Sequence, residues 1–345
     1  MRIDTFEGLR ILVTGGTGSL GEALVRRLLS ASEGRPERVI VFSRDETKQH
    51  EMRLAFMHRA SATDEVIFQN SREVLSFRIG DVRDYASLAD VVREVDVIFN
   101  AAALKQVPTC EYFPSEAVAT NVGGAQNLAR AVRDVGRDVR VVVGISTDKA
   151  CKPINVMGMT KAIQERVFVE ANLRNPETRF VCVRYGNVLA SRGSVVPLFL
   201  EQIRRGGPLT ITLPEMTRFL LNLERAVDTV LAAARMARAG ETYVPRVPSA
   251  RMVDVAAVLI NGRKMETENV GIRPGEKIHE IMVSEEECYR TVERGEYYAI
   301  LPMLPELRIG GEEPRALFGE YSSADAPVEV DALRDILSAY VTAAS

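Results

Sequence analysis

Short apolar runs alternate with amphipathic stretches through the first half of the chain. Residues 9–14 (LRILVT) form a continuous apolar run that ends in glycines, and the following EALVRRLLS spaces its apolar residues along one face of a helix. The alternation recurs at 38–43 (RVIVFS), 76–81 (SFRIGD), 95–103 (VDVIFNAAA), 139–146 (VRVVVGIS) and 179–186 (RFVCVRYG), with helical stretches between most of them. Strands that read as unbroken Val/Ile runs have no solvent face. The pattern therefore predicts an α/β fold, a doubly wound parallel sheet of Rossmann type with helices on both faces. After residue 187 the rhythm breaks: LERAVDTVLAAARMA and MVDVAAVLI read as helices and ETYVPRV as a strand. A stretch rich in Pro, Gly and Glu then precedes a last helix, VDALRDILSAYVTA. The expected organisation is a nucleotide-binding domain over 1–186 and 222–250, with a smaller mixed substrate lobe and tail over 187–221 and 251–345.

Composition narrows the function classes. With 46% hydrophobic and 26% charged residues among 345, the chain is long enough for one large domain or two intimate ones. Its 44 Lys and Arg against 47 Asp and Glu leave a net charge of −3, which favours neither nucleic acid nor a polybasic membrane contact. No apolar run reaches the roughly 18 to 20 residues of a membrane helix, and the first residues lack a signal-peptide core, so a cytoplasmic protein is expected. Cys110, Cys151, Cys182 and Cys288 are scattered without metal spacing, and with three separated histidines a metal site is not expected. Acid–base or redox chemistry must come from other groups or from a cofactor.

The first strand-to-helix junction reads Thr14-Gly15-Gly16-Thr17-Gly18-Ser19-Leu20-Gly21. Glycines there permit a tight turn and close backbone approach, while the helix start offers free N–H groups to a pyrophosphate. The spacing of Gly15, Gly18 and Gly21 resembles the extended short-chain dehydrogenase/reductase superfamily. The end of the second strand selects the nucleotide. Where an NAD enzyme usually places an acidic residue against the ribose, this chain has Ser43-Arg44-Asp45, with Lys48 following. Ser43, Arg44 and Lys48 suit a 2′-phosphate, so NADP is expected; the alternative is a solvated, charged helix start. The resemblance adds Asp81 and Val82 as an adenine-contacting pair and Ala101, Ala102 and Ala103 as small residues lying against the cofactor. It also implies cofactor contacts from Lys105, Asn121, Tyr185 and Asn187.

Superfamily chemistry uses a Tyr-x-x-x-Lys pair on one helix face, the lysine lowering the tyrosine pKa. Here the lysine is Lys161 and the tyrosine position is Met157. A thioether carries no titratable proton, so either catalysis is lost or other residues perform it. Asp148 and Lys149 follow a buried strand at its C-terminal end, where open α/β sheets place their ligands.

The segment from Ser146 to Lys161 (STDKACKPINVMGMTK), together with NAAALKQVP, RYGNV, SRGSVVP, MTRF and RPGEK, is similar to the UDP-N-acetylglucosamine 4,6-dehydratases of bacterial polysaccharide biosynthesis. The likeness runs from about residue 8 to 285. It is strongest to a capsule-biosynthesis branch with methionine at the tyrosine position, which includes 5-inverting dehydratases and proteins named UDP-glucose 4-epimerase. The chain departs at Leu213, where the family often has Asp. The resemblance implies oxidation at C4 of the hexose, elimination of water across C5–C6 and hydride return to C6. It assigns Lys149 as the C5 base, Asp148 as the acid at C6, Thr147 near the C4 oxygen, and Lys161 on the nicotinamide ribose. Lys149 would need a pKa well below about 10.4, from burial and a neighbouring lysine. UDP recognition is expected from Asn187, Val195 and Pro197, from Arg218 and Arg273 on the diphosphate and from Glu276 on a ribose hydroxyl, with Lys105 reaching the sugar. A homo-oligomer is expected from the resemblance. Two rivals stay open: a UDP-hexose 4-epimerase, and a non-catalytic NADP-binding regulator.

Overall fold

A computed structural model of the chain describes residues 3–30, 32–56, 74–189, 194–308, 311 and 313–344. Each apolar run forms a strand: β1 (Arg10–Thr14), β2 (Arg38–Ser43), β3 (Leu75–Ile79), β4 (Val97–Asn100), β5 (Val141–Ile145) and β6 (Arg179–Val183). They lie side by side in the order β3-β2-β1-β4-β5-β6, all parallel, and the Thr242–Pro245 strand continues the sheet in the same sense. This is the doubly wound order, with its switch point between β1 and β4, where a crevice opens at the strands' C-terminal ends.

Successive strand residues face opposite ways, so the inner strands β1, β2, β4, β5 and β6 each feed two cores, while the edge strand β3 feeds one. Ile11, Val13, Val39, Val41, Phe99 and Val143 pack on one face with residues of helix α1 (Ser19–Leu29) and of the helix Leu223–Met236. Leu12, Ile40, Ile98 and Val142 pack on the other with the helices Tyr85–Val92, Gly124–Val135 and Val156–Arg174. Continuous Val/Ile runs are the sequence consequence of this double burial.

Two features go beyond the sequence reading. The antiparallel hairpin Thr291–Arg294/Tyr297–Ile300, placed by sequence with the second lobe, pairs with Thr242–Pro245 and extends the central sheet to nine strands. The tail is tied in as well: Tyr321–Ser322 pairs with Ile281–Val283, and Leu333 and Leu337 of the last helix enter a third core with Phe199, Leu209, Val255 and Leu259.

Candidate active site

The glycine turn after β1 is shaped by contact. Gly15 has φ +65, and a Cβ on it would sit 2.7 Å from backbone atoms of Ala102; a Cβ on Gly21 would sit 2.6 Å from the Cα of Gly16. A side chain at Gly15 would wedge the turn away from the loop after β4, whose Ala101 and Ala102 form the opposite lip with Ala103, and one at Gly21 would push α1 off the turn. Thr14, fully buried, donates from Oγ1 to Asn100 Oδ1 at 2.7 Å and accepts from the Ala102 amide at 3.3 Å, tying the two lips together. Gly18 is the N-cap of α1 and supplies no side-chain cap, so the α1 amides are left for a ligand, with Thr17, Ser19 and Leu20 half-buried around them. This cradle, closed by glycine and uncapped, fits a dinucleotide pyrophosphate.

At the end of β2, Gln49 donates from Nε2 to the carbonyl oxygen (2.9 Å) and hydroxyl (3.1 Å) of Ser43, fixing the strand terminus. Arg44 is exposed, its guanidinium 3.7 Å from Asp81. Lys48 is drawn instead to Asp45 at 2.7 Å, and that bond holds the Asp45 carboxyl below its usual range. Arg44 is therefore the less encumbered of the two cations. Burial raises the Asp81 carboxyl pKa, but its bonds to Arg83 outweigh that and the net shift is down. Val82 is buried against Gly124. Asn121 has its amide committed within the fold: Oδ1 accepts from Leu104 N at 2.8 Å, and Nδ2 donates to Leu104 O and Thr160 Oγ1. It shapes the loop that carries Lys105, which is exposed.

The STDK segment leaves β5 into a single 3-10 turn, Asp148–Ala150, with Thr147 as its N-cap. Asp148 is 1% exposed; its Oδ1 accepts from Thr147 Oγ1 at 2.8 Å and from Lys149 Nζ at 3.1 Å, while Oδ2 has no partner. Lys149 Nζ also donates to Asn187 Oδ1 at 3.3 Å and lies 3.1 Å from Glu280 Oε1. Burial pulls the Lys149 pKa down, but the charges of Asp148 and Glu280 prevail and raise it. This corrects the expectation of a depressed Lys149: the two carboxylates outweigh burial and the nearby positive charge of Arg218.

The depressed lysine is Lys161. Its Nζ donates to the Ile145 carbonyl and, at 2.7 Å, to Gln164 Oε1, both neutral acceptors, and burial pushes its pKa down to about 8. Met157 is buried with Cys110 and Ala117 in a small apolar cluster. Gly158 allows the helix Val156–Arg174 to press on the 3-10 turn, since a Cβ there would meet the Lys149 carbonyl oxygen at 2.2 Å. Asn155 caps this helix, Oδ1 accepting from the Gly158 amide at 2.8 Å. Tyr185, whose phenol is pushed up by burial, packs on the sheet core, and its carbonyl accepts from the Asp148 amide.

On the second lobe, Val195 and Pro197 lie in the first turn of the helix Val195–Arg204, beside a Ser194 hydroxyl that is buried without a partner. The adjoining motif residues 191–193 fall outside the described residues. Arg273 is exposed; Glu276 is half-buried with Oε2 unpartnered. Arg218, expected on a phosphate, donates instead to the carbonyls of Thr217, Lys277 and Ile278, and its Nε sits 3.7 Å from Glu280. Its guanidinium braces a loop.

Sequence reading missed Glu280, Asn155 as a cap, and Arg184. The last lies at the end of β6, 3% exposed, and bonds both Glu165 and Glu287. A lone acidic residue in IHEIMV carries no sign of what it faces, whereas an Asn directly before an amphipathic run is a recognisable cap signal.

The family described as polysaccharide biosynthesis protein matches residues 11–302. The chain belongs to that family. Within the polysaccharide biosynthesis proteins and their structural neighbours, similarity extends to named relatives. The UDP-glucose 4-epimerase of Rickettsia typhi is 43% identical over 324 residues, 91% of this chain and 90% of that protein. The X-ray structure of Pen from Bacillus thuringiensis matches with TM-score 0.84 at 31% identity, over 97% of this chain and 98% of its own. DesIV, a dTDP-glucose 4,6-dehydratase from Streptomyces venezuelae solved with NAD bound, shares the fold at TM-score 0.65 and 23% identity, over 78% and 87%. This family member thus has the extended short-chain dehydrogenase/reductase fold. Among its described residues no helix is long and apolar enough to cross a membrane.

Proposed function

We propose that the chain is a cytoplasmic, NADP-dependent UDP-N-acetylglucosamine 4,6-dehydratase that inverts C5, serving polysaccharide or glycoconjugate synthesis. The observation that carries this reading is the Asp148–Lys149 pair, 3.1 Å apart at the C-terminal end of β5. Dehydration needs a base for the C5 proton and an acid for the departing C6 hydroxyl; epimerisation at C4 needs neither.

A nicotinamide dinucleotide bound in the glycine cradle would take the C4 hydride and return it at C6. The chain's own residues do the rest. Gly15, Gly18 and Gly21 admit the pyrophosphate, Arg44 meets the 2′-phosphate, and Lys161 bonds the nicotinamide ribose. Thr147 lies by the C4 oxygen. Lys149, once its own proton has passed to water, takes the C5 proton, which the C4 ketone has acidified, and a solvent-derived proton returns to C5 on the opposite face as the hydride reaches C6. Asp148 takes the C4 hydroxyl proton through Thr147 Oγ1, 2.8 Å away, and gives it to the leaving C6 hydroxyl. Asn187, Val195, Pro197, Arg273 and Glu276 hold the UDP moiety, and Lys105 reaches toward the sugar. We place the domain boundary as the sequence suggests, except that the hairpin at 291–300 goes with the nucleotide-binding sheet.

The name of the Rickettsia typhi relative favours a second reading, a UDP-hexose 4-epimerase on the same scaffold. NMR of UDP-N-acetylglucosamine incubated in D2O with enzyme and NADP separates them. Dehydration gives a 4-keto sugar with deuterium at C5 and a methyl group at C6. Epimerisation gives a C4 epimer with C5 unlabelled and C6 still hydroxylated, which would sink the dehydratase reading; no turnover of UDP-hexoses would point to a regulator.

A further inference from the structure

Glu280 is 2% exposed and lies outside every motif used above. Its Oε1 sits 3.1 Å from Lys149 Nζ, the same distance as Asp148 Oδ1, and its Oε2 is buried without a partner among the described residues. The Lys149 ammonium is thus shared by two carboxylates from distant parts of the chain. The charged groups around it are Asp148 on its own turn, Glu280, Arg218 on the strand Thr217–Phe219, and Lys277 on the loop leading to Glu280. Asn187 adds a neutral acceptor.

The position of Glu280 is built in. Its amide donates to Ser323 Oγ at 2.9 Å and its carbonyl accepts from the Ser323 amide at 2.8 Å, while Ser323 is also bonded to Thr217. Residue 323 belongs to the tail, so the C-terminal segment clamps the residue that faces Lys149. A buried carboxylate held this firmly does not simply neutralise charge, because Asp148 alone already gives Lys149 one counter-ion. With a second, the amine is fixed in direction and its proton is harder to remove.

We propose that Glu280 is a positioning residue for Lys149, the second counter-ion that aims the amine and retains its proton until substrate enters. The proposal rests on reading Lys149 as the C5 base. It implies that a sugar hydroxyl displacing one carboxylate oxygen would free the amine for catalysis.

The test is competitive acetylation of the full-length protein with acetic anhydride across pH 6 to 11, reading Lys149 by peptide mass spectrometry against an added lysine dipeptide. In the unmodified protein the Lys149 midpoint should lie above that of the dipeptide; a midpoint below it overturns the proposal without need of any variant. In Glu280→Gln, folded as judged by circular dichroism, the midpoint should fall by about one unit or more, since an opposite charge within about 4 to 6 Å shifts a pKa by about 1 to 3 units. An unchanged midpoint also overturns it. The acid limb of the pH profile for C5 exchange in D2O should move down with the midpoint. A shifted midpoint with no C5 exchange in either protein would leave the coupling standing and remove the dehydratase reading.

Discussion

Asn155 donates from Nδ2 to the carbonyl oxygen of Gly275 at 2.8 Å, joining the start of the helix that bears Met157 and Lys161 to the loop that bears Arg273 and Glu276. Its Oδ1 caps the same helix, so one side chain serves both lobes. Asn155→Asp keeps the capping oxygen and loses the donor, and should raise KM for the UDP-sugar with little change in thermal stability. Asn155→Ala should do both, removing about 1 kcal/mol of helix stability as well. Equal KM values for Asn155→Asp and the parent would show that the loop is held by other contacts.

Met157 is buried with Cys110 and Ala117 and carries no titratable proton. Met157→Leu should therefore retain dehydration, whereas Lys149→Met should reduce C5 exchange, and Asp148→Asn the loss of the C6 hydroxyl, each by about 10² or more. Exchange at the parental rate in Lys149→Met would transfer the base role to another group.

Arg44 is exposed with its guanidinium 3.7 Å from Asp81, while Lys48 is held by Asp45 at 2.7 Å. Arg44→Asp should abolish or reverse a preference for NADP, and Lys48→Ala should weaken it less, as read by cofactor titration. Equal affinity of the parent for NAD and NADP would refute the assignment.

Burial holds the Lys161 pKa at about 8 against 10.5 in an exposed lysine. Between those values the unfolded chain binds more protons than the folded one, so the contribution of Lys161 to stability rises with pH from about 8 to 10.5. Denaturant unfolding of the ligand-free protein should show this rise, and Lys161→Met should remove it. Glu287 behaves in the opposite window. Burial opposes its charge but Arg184 prevails, and its carboxyl sits at about 2 against 4.5, so its stabilisation is complete above 4.5 and disappears as pH falls toward 2. Glu287→Gln should flatten the acid side of the stability profile.

Legibility followed the physics of each signal. Strands β1, β2 and β4 to β6 could be read because burial on both faces demands apolar residues at nearly every position, as in VVVGI and the last four residues of RFVCV. The hairpin at 291–300 was not assigned to the sheet, since TVER mixes buried and exposed positions at the sheet edge. The glycine turn was legible because close approach leaves no other residue type at Gly15. The charge state of Lys149 was not. It depends on Glu280, whose sequence neighbours give no sign that the fold brings it there. The bonds of Arg218 were not legible for a related reason: an arginine in a motif looks the same whether it bonds a phosphate or the carbonyls of Lys277 and Ile278.

The guanidinium of Arg184, at the end of β6, holds Glu165 of the helix Val156–Arg174 and Glu287 of the Glu285–Cys288 turn at once. Sheet, helix and second lobe are therefore locked together on the side that carries Glu280, and removing one member of such a buried set costs about 3 to 5 kcal/mol. That wall is a fixed jaw. The field that Asp148 and Glu280 cast on Lys149 is likewise established when the chain folds, before any sugar arrives, so the reorganisation that water would need around a developing charge has been completed in advance.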